Sequence, residues 1–427
     1  MKRREFLLTA GAMAAATAGL KADITDVSRS PGVIGKAGGF LQPNARAGVF
    51  SPSVRADFPS VARETYLNSG AMHPVGTFTA DAMKSLIDYR AFGPGEGRAD
   101  FGAAKQDELK KKFGALINAS ASEIAFTANT TDGENIVVMG LDLAKAKGAN
   151  IVIDELHFTS SLYMYKELEK KGVQLRIVKH KNWTIDPEDM AKAIDRNTRL
   201  VSLALVSNVN GFMHDAKAIS AVAHARGAYV FADIIQAVGA VPVDVKALGI
   251  DFAAAGTYKW LMGERGIGFL YVREDLQGTV LPTTRYGHRQ VSNFNRAELT
   301  WEPLPGAARY ETGGIPVILA AGVNAGIDYV NKLGLTNIRT HAKQLTDRLQ
   351  KELPPLGYKS LTPMDTPTPI LAFELKDSAA VSKMLQAGHV VGTVIANENR
   401  LRLSVSVFNT HEDIDKAVAV LAGKSSF

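Results

Sequence analysis

The chain has 427 residues, 46% of them hydrophobic, enough to fill a sizeable core over two or three domains. Its formal charge is +6, with 49 basic and 43 acidic side chains interspersed, and it contains no cysteine. No nucleic-acid partner is expected from such scattered charge, and a disulfide framework, a thiolate metal site and a protein-cysteine nucleophile are all excluded. No metal is called for.

Lys2-Arg3-Arg4-Glu5-Phe6-Leu7 is a twin-arginine start, followed by a mildly apolar stretch from Leu7 to Leu20. That stretch is too short and too weakly hydrophobic for a stable membrane anchor. Residues 1–22 are expected to be a twin-arginine signal peptide, with small residues around Ala16-Thr17-Ala18 or Ala22 as the cleavage site and the periplasm as destination. Residues 23–85 read as an N-terminal arm, Gly/Pro-interrupted and extended to about Ser60, and then a segment that packs with the C-terminal domain.

From Lys105 to Val272 helix and strand patterns alternate. Helical spacing is predicted over Lys105 to Ile117, Ser160 to Lys171 and Ala216 to Arg226. Strands are predicted at Ile124 to Phe126, Ile151 to Ile153, Val173 to Val178, Leu200 to Val206, Tyr229 to Ala232 and Ile267 to Val272. Alternation on this scale indicates an α/β fold with a mostly parallel sheet covered on both faces. The large domain is placed at residues 86–314. A long helix from Val317 to Leu333 then opens a smaller α+β domain, residues 315–427, with strands at Pro369 to Glu374 and Arg400 to Ser406.

Ligands in such sheets sit beyond the carboxyl ends of the strands. Four segments at those ends together suit one anionic aromatic cofactor. Thr130 and Thr131 open a helix whose free N–H groups can bind phosphate, although Asn129-Thr130-Thr131 is equally a plain N-cap. Asp233 closes an apolar strand where a lone carboxylate is costly; it either pairs with a protonated ring nitrogen or caps the next turn. Gln236, in the same turn, is within reach of a phenolic oxygen. Lys259, between Tyr258 and Trp260, ends an apolar run before a glycine-rich turn. There it is either a partly desolvated nucleophile or a snorkelling surface lysine, and Tyr258 can offer its hydroxyl to phosphate. After the strand at Ile151, either His157 or Phe158 is placed to stack on a ring. Farther on, Arg285-Tyr286-Gly287-His288-Arg289 is either a contact for an acidic substrate or a solvated loop.

The order of these segments resembles the class V aminotransferase group of fold-type-I pyridoxal-phosphate enzymes, which includes cysteine desulfurases, kynureninase and isopenicillin N epimerase. Tyr66-Leu67-Asn68-Ser69-Gly70-Ala71 resembles the family's opening "YLNNAA", and Ser207-Asn208-Val209-Asn210-Gly211 its "SNVTG" loop. Thr257-Tyr258-Lys259-Trp260-Leu261 is similar to the "HKWL" lysine motif, and Phe158 to Tyr163 to kynureninase's "FPTDLY", which favours Phe158 as the stacking residue. Arg402-Leu403-Ser404 with Phe408 to Asp413 resembles the C-terminal "R-x-S…YNT-x-x-D". Glu311 to Pro316 resembles "ETGT-x-P" except that Gly314 replaces the Thr that reaches the partner subunit's phosphate, and Gly256 stands where some relatives have a phosphate-binding Ser.

The resemblance implies pyridoxal 5'-phosphate (PLP) held as a Schiff base by Lys259, with Asp233 keeping its ring nitrogen protonated and Asn208 at a cofactor oxygen. It also implies Arg402 at the substrate α-carboxylate, Asn68 at the substrate, and a homodimer with active sites near the interface. The expected substrate is a small-molecule or peptide-linked amino acid, attacked at its amino-bearing carbon by transamination, epimerisation or lysis. Joined to the export signal, the motifs also resemble family members that tailor the glutamate of a pyoverdine-type siderophore. A non-catalytic PLP-binding protein is the rival from another class.

Overall fold

Short β-branched and aromatic runs fall between amphipathic segments, and this spacing stacks the strands side by side with helices as crossovers. In the computed structural model, which describes residue 50 and residues 52–146 and 148–424, seven strands form one sheet. Edge to edge they are Ile124–Thr127, Gly268–Val272, Phe252–Gly256, Tyr229–Asp233, Thr198–Ala204, Asn150–Asp154 and Gln174–Val178. All run parallel except Gly268–Val272, which is antiparallel to both its neighbours. The twin-arginine segment lies outside the described residues.

Side-chain alternation sends the strands into two cores. Phe231, Phe252, Ala254 and Leu270 join Ile136 and Val137 of the helix Thr130–Gly140 on one face. On the other, Val230, Ala232, Ala255 and Phe269 meet Leu109, Phe113 and Ile219 from the helices Ala103–Leu116 and Ala216–Ala225. Each large apolar side chain so buried contributes about 1.5–3 kcal/mol.

The helix Val317–Leu333, expected to open the smaller domain, packs Ala320, Val323, Ile327 and Val330 into the second of these cores. In the α+β region that follows, a second helix, Leu335–Glu352, packs Leu345 and Leu349 on a three-stranded antiparallel sheet. The central strand of that sheet, Arg400–Ser404, lies between Ile370–Glu374 and Thr393–Ile395. Leu401 and Leu403 point into this third core, which leaves Arg400, Arg402 and Ser404 on the opposite face.

Thr65–Tyr66 adds a parallel pairing to Val390–Val391, and Arg55 donates to the Asp413 carboxylate at 2.7 Å and to the Phe408 carbonyl at 2.9 Å. Within the arm expected to be extended to about Ser60, the chain instead forms a short helix, Pro52–Ala56, and enters a 3-10 turn, Pro59–Ala62. Each starts at a proline, whose fixed φ suits a first helical position. All described residues fall in one unit, Pro43–Phe427, and none of their helices is long and apolar enough to cross a membrane.

Candidate active site

Five strand ends converge on a cavity of about 460 Å³. Its wall carries Thr130, Thr131, Phe158, Asn208, Asp233, Gln236, Tyr258 and Lys259, eight of the residues singled out from the sequence, together with Arg265 and Gly266, which were not.

Lys259 is only 5% exposed. Burial lowers it to about 8, against the opposing pull of Asp233 and in the same direction as Arg402 and Arg265. A neutral amine is therefore accessible near physiological pH. Its Nζ stands 6.0 Å from the Phe158 ring centroid and 5.7 Å from that of Tyr258.

Asp233 is fully desolvated, and burial raises it to about 6. One carboxylate oxygen accepts the Ile235 N–H at 2.9 Å, and among the described residues no ion pair involves this side chain. Gln236 is held at both ends. Its Oε1 accepts from the Trp260 indole at 3.0 Å and its Nε2 donates to the Gly70 carbonyl at 2.9 Å, leaving one amide hydrogen for a ligand.

The segment Ser207 to Gly211 is stapled to the C-terminal region. Asn210 Nδ2 donates to the Leu361 carbonyl at 2.9 Å, and the hydroxyls of Thr362 and Thr368 donate to the carbonyls of Asn210 and Gly211 at 2.7 and 2.8 Å. Gly211 sits at φ +77°, where a Cβ would stand 2.1 Å from the Ile370 carbonyl oxygen. Asn208 is fixed by these contacts, with its side-chain Oδ1 buried and without a hydrogen-bond partner. Its carbonyl accepts Arg402 Nη1 at 2.9 Å.

Arg402 is 8% exposed, and burial lowers it to about 10. No carboxylate pairs with it among the described residues, and its Nε lacks a partner. Asn68 acts at one remove: its Oδ1 accepts the Thr393 hydroxyl at 2.6 Å, and that hydroxyl receives Arg402 Nη2 at 3.4 Å. Neither Asn68 nor Arg402 is on the cavity wall itself; Asn208 stands between Arg402 and that wall. Asn68, expected at the substrate, is thus placed behind the arginine.

His157 requires a correction. It does not line the cavity; Nδ1 accepts the Phe158 N–H at 2.7 Å, so Nε2 carries the proton and donates to Ser202 Oγ at 2.9 Å. Burial lowers His157 to about 4, which keeps it neutral in that role. Of the two, it is Phe158, 37% exposed, that faces the cavity. Below it lies a network that sequence reasoning missed. Glu134 accepts from Ser202 and Tyr165 on Oε1, at 3.1 and 2.9 Å, and from Ser161 on Oε2 at 2.6 Å. Burial and the nearby Asp233 push Glu134 up to about 7. Its sequence signal, an acid four residues after Thr130, is indistinguishable from an ordinary helical glutamate.

Arg285 is likewise not free for an acidic substrate. It pairs with Asp132 at 2.6 Å, beside the first turn of the Thr130–Gly140 helix.

The side chains present fit PLP. A buried carboxylate without an ion pair among the described residues, a buried lysine of lowered basicity, the orphaned Asn208 Oδ1 and a helix start with spare N–H groups match, in turn, a pyridine nitrogen, an aldehyde, a phenolic oxygen and a phosphate.

A mostly parallel seven-stranded sheet with this site at its carboxyl edge, and a smaller α+β region behind it, defines a pyridoxal-phosphate enzyme of fold type I. Residues 97–417 match the family model described as aminotransferase class-V, and the chain belongs to that family. A probable cysteine desulfurase of Methanothermobacter thermautotrophicus is 32% identical over 302 residues, covering 69% of this chain and 74% of the relative. The cysteine desulfurase of Shigella sonnei is 31% identical over 398 residues, covering 86% and 96%. Among solved structures, the apo cysteine desulfurase of Thermococcus onnurineus superimposes with a TM-score of 0.77 at 24% identity, covering 87% of this chain and 97% of its own. A cystine C–S lyase in complex with its product, cysteine persulfide, gives 0.76 at 23% identity, covering 86% and 99%. At such identities the structural likeness is one of fold.

Proposed function

We propose that this PLP-dependent enzyme acts at the amino-bearing carbon of an α-amino acid, free or within a peptide, and that its chemistry is of the lyase type. The observation that carries the proposal is the meeting of Lys259 and Asp233 at one cavity, with the carboxylate-free Arg402 immediately behind it. Bound PLP supplies a sink for the electrons left when a bond to that carbon breaks. The chain's residues do the rest. Lys259 anchors the cofactor and, once released, carries the proton from Cα. Asp233 supplies the negative charge opposite the ring nitrogen and Phe158 covers the ring, while Arg402, behind the Asn208 carbonyl that accepts its Nη1, is the carboxylate-free cation toward which a substrate carboxylate would be drawn.

Lyase chemistry is favoured by the relatives, which are named as cysteine desulfurases, and by the cystine C–S lyase among the similar folds. With no cysteine in the chain, sulfur cannot be passed to a thiol of the enzyme itself, and the sulfur-bearing group leaves directly from the substrate. In such a lysis Cα loses its proton, the β-substituent departs with its bonding pair, and hydrolysis of the remainder gives a keto acid and ammonia.

A second reading rests on Lys2-Arg3-Arg4: export by the twin-arginine pathway to the periplasm and transamination or epimerisation of a peptide-linked residue, such as the glutamate of a pyoverdine-type siderophore. A homodimer with active sites near the interface belongs to the same reading through the family resemblance, with Gly314 standing where the family's Thr reaches the partner subunit's phosphate.

Incubating purified enzyme with L-cystine, other D- and L-amino acids and siderophore precursors separates these outcomes. Keto acid and ammonia without an added acceptor are expected. Turnover only with a keto-acid acceptor, or a racemate without one, would replace lysis by transamination or epimerisation.

A further inference from the structure

The outer end of the cavity is built from two elements that the sheet register brings together. Thr127 pairs with Gly268, so the loop that enters the Gly268–Val272 strand abuts the first turn of the Thr130–Gly140 helix. The approach is close: a Cβ on Gly268 would stand 3.1 Å from the Asn129 Cα. Arg265 is on this loop. It lines the cavity with Thr130, Thr131 and Tyr258, its guanidinium carbon 5.3 Å from the Tyr258 ring centroid. Among the described residues it forms no ion pair, and the adjacent Glu264 carboxylate instead accepts Arg265's own backbone N–H at 3.2 Å.

Glu264 is not on the cavity wall, and the other groups at this end are uncharged or already neutralised. Thr130 Oγ1 accepts the Gly256 N–H at 2.8 Å, and Thr131 Oγ1 meets Ser160 Oγ at 3.1 Å. Asp132 and Arg285 cancel each other at 2.6 Å. A phosphate monoester carries about −1.5 to −2 charges at neutral pH, whereas a helix start offers only about +0.5. The shortfall is about one charge or more, which one guanidinium supplies.

We propose that Arg265 is the cationic partner of the cofactor's phosphate, held in place by its contact with the Tyr258 ring. A cation over an aromatic face is favourable in itself, and packing there removes rotamer freedom before the anion arrives. The proposal rests on the assignment of this cavity as the PLP site.

The test is a binding comparison of two ligands that share the ring and aldehyde and differ only in the phosphate. Apo wild type, Arg265→Gln and Arg265→Lys are titrated with PLP and with pyridoxal, following absorbance. Wild type should prefer PLP. Arg265→Gln should lose about tenfold or more in PLP affinity and keep its pyridoxal affinity, while Arg265→Lys recovers part of the loss. A wild-type preference for PLP that survives in Arg265→Gln overturns the role of Arg265 alone. So does an equal loss for both ligands. If wild type binds both ligands equally, the cofactor site is elsewhere and both assignments fall.

Discussion

Burial and Asp233 pull Lys259 in opposite directions, and burial wins: the amine titrates at about 8 instead of its ordinary 10.5. Only the neutral amine attacks an aldehyde. Capture of PLP by the apo chain should therefore quicken about tenfold per pH unit below 8 and level off above it. Asp233 raises Lys259, so removing its charge must lower the midpoint. In Asp233→Asn the capture profile should shift to lower pH by roughly one unit. Stopped-flow absorbance across pH 6 to 10 measures both, and an unmoved midpoint in Asp233→Asn would mean that the two groups do not sense each other. Arg402 and Arg265 act on Lys259 in the opposite sense, since neighbouring cations disfavour its protonation. The lysine's basicity is thus set by burial first and then by three charges from three separate stretches of chain, and no local motif records the sum.

At the level of elements, the site depends on how closely the Thr130–Gly140 helix lies on the sheet. A Cβ on Gly133 would come within 2.8 Å of the Ala254 Cβ, a distance that real side chains do not share. Gly133→Val should push the helix off the strand Phe252–Gly256, costing about 1–3 kcal/mol of stability by urea unfolding and weakening PLP binding at the displaced helix start. Wild-type stability in that variant would contradict the packing. The same contact explains why this strand was not anticipated: Phe252-Ala253-Ala254-Ala255-Gly256 has little β propensity and is a strand because neighbours pair with it on both sides. Val- and Ile-rich strands such as Asn150–Asp154 were legible from composition alone. The antiparallel direction of Gly268–Val272 was not, because a strand's residues do not encode which way its neighbours run.

For the molecule as a whole, the cavity draws on five strand ends, a helix start and, through Arg402 and Asn208, the C-terminal sheet. Residues that carry chemistry were readable because burial without a partner is costly: Asp233 and Lys259 at the ends of apolar runs each demanded an explanation. Side-chain direction was less so. His157 and Phe158 are adjacent, and the hydrogen bond from His157 to Ser202, 45 residues away, is what turns one inward and leaves the other facing the cavity. Arg265 escaped notice for the converse reason, being an exposed loop residue whose position follows from strand pairing rather than from any motif. The whole arrangement turns on the proposed role of Lys259 in holding the cofactor. Borohydride reduction of the PLP-loaded protein, followed by peptide mapping, tests it directly: the label should fall on the peptide carrying Lys259, and Lys259→Ala should take up none. A label on another lysine, or one retained in the variant, would contradict it.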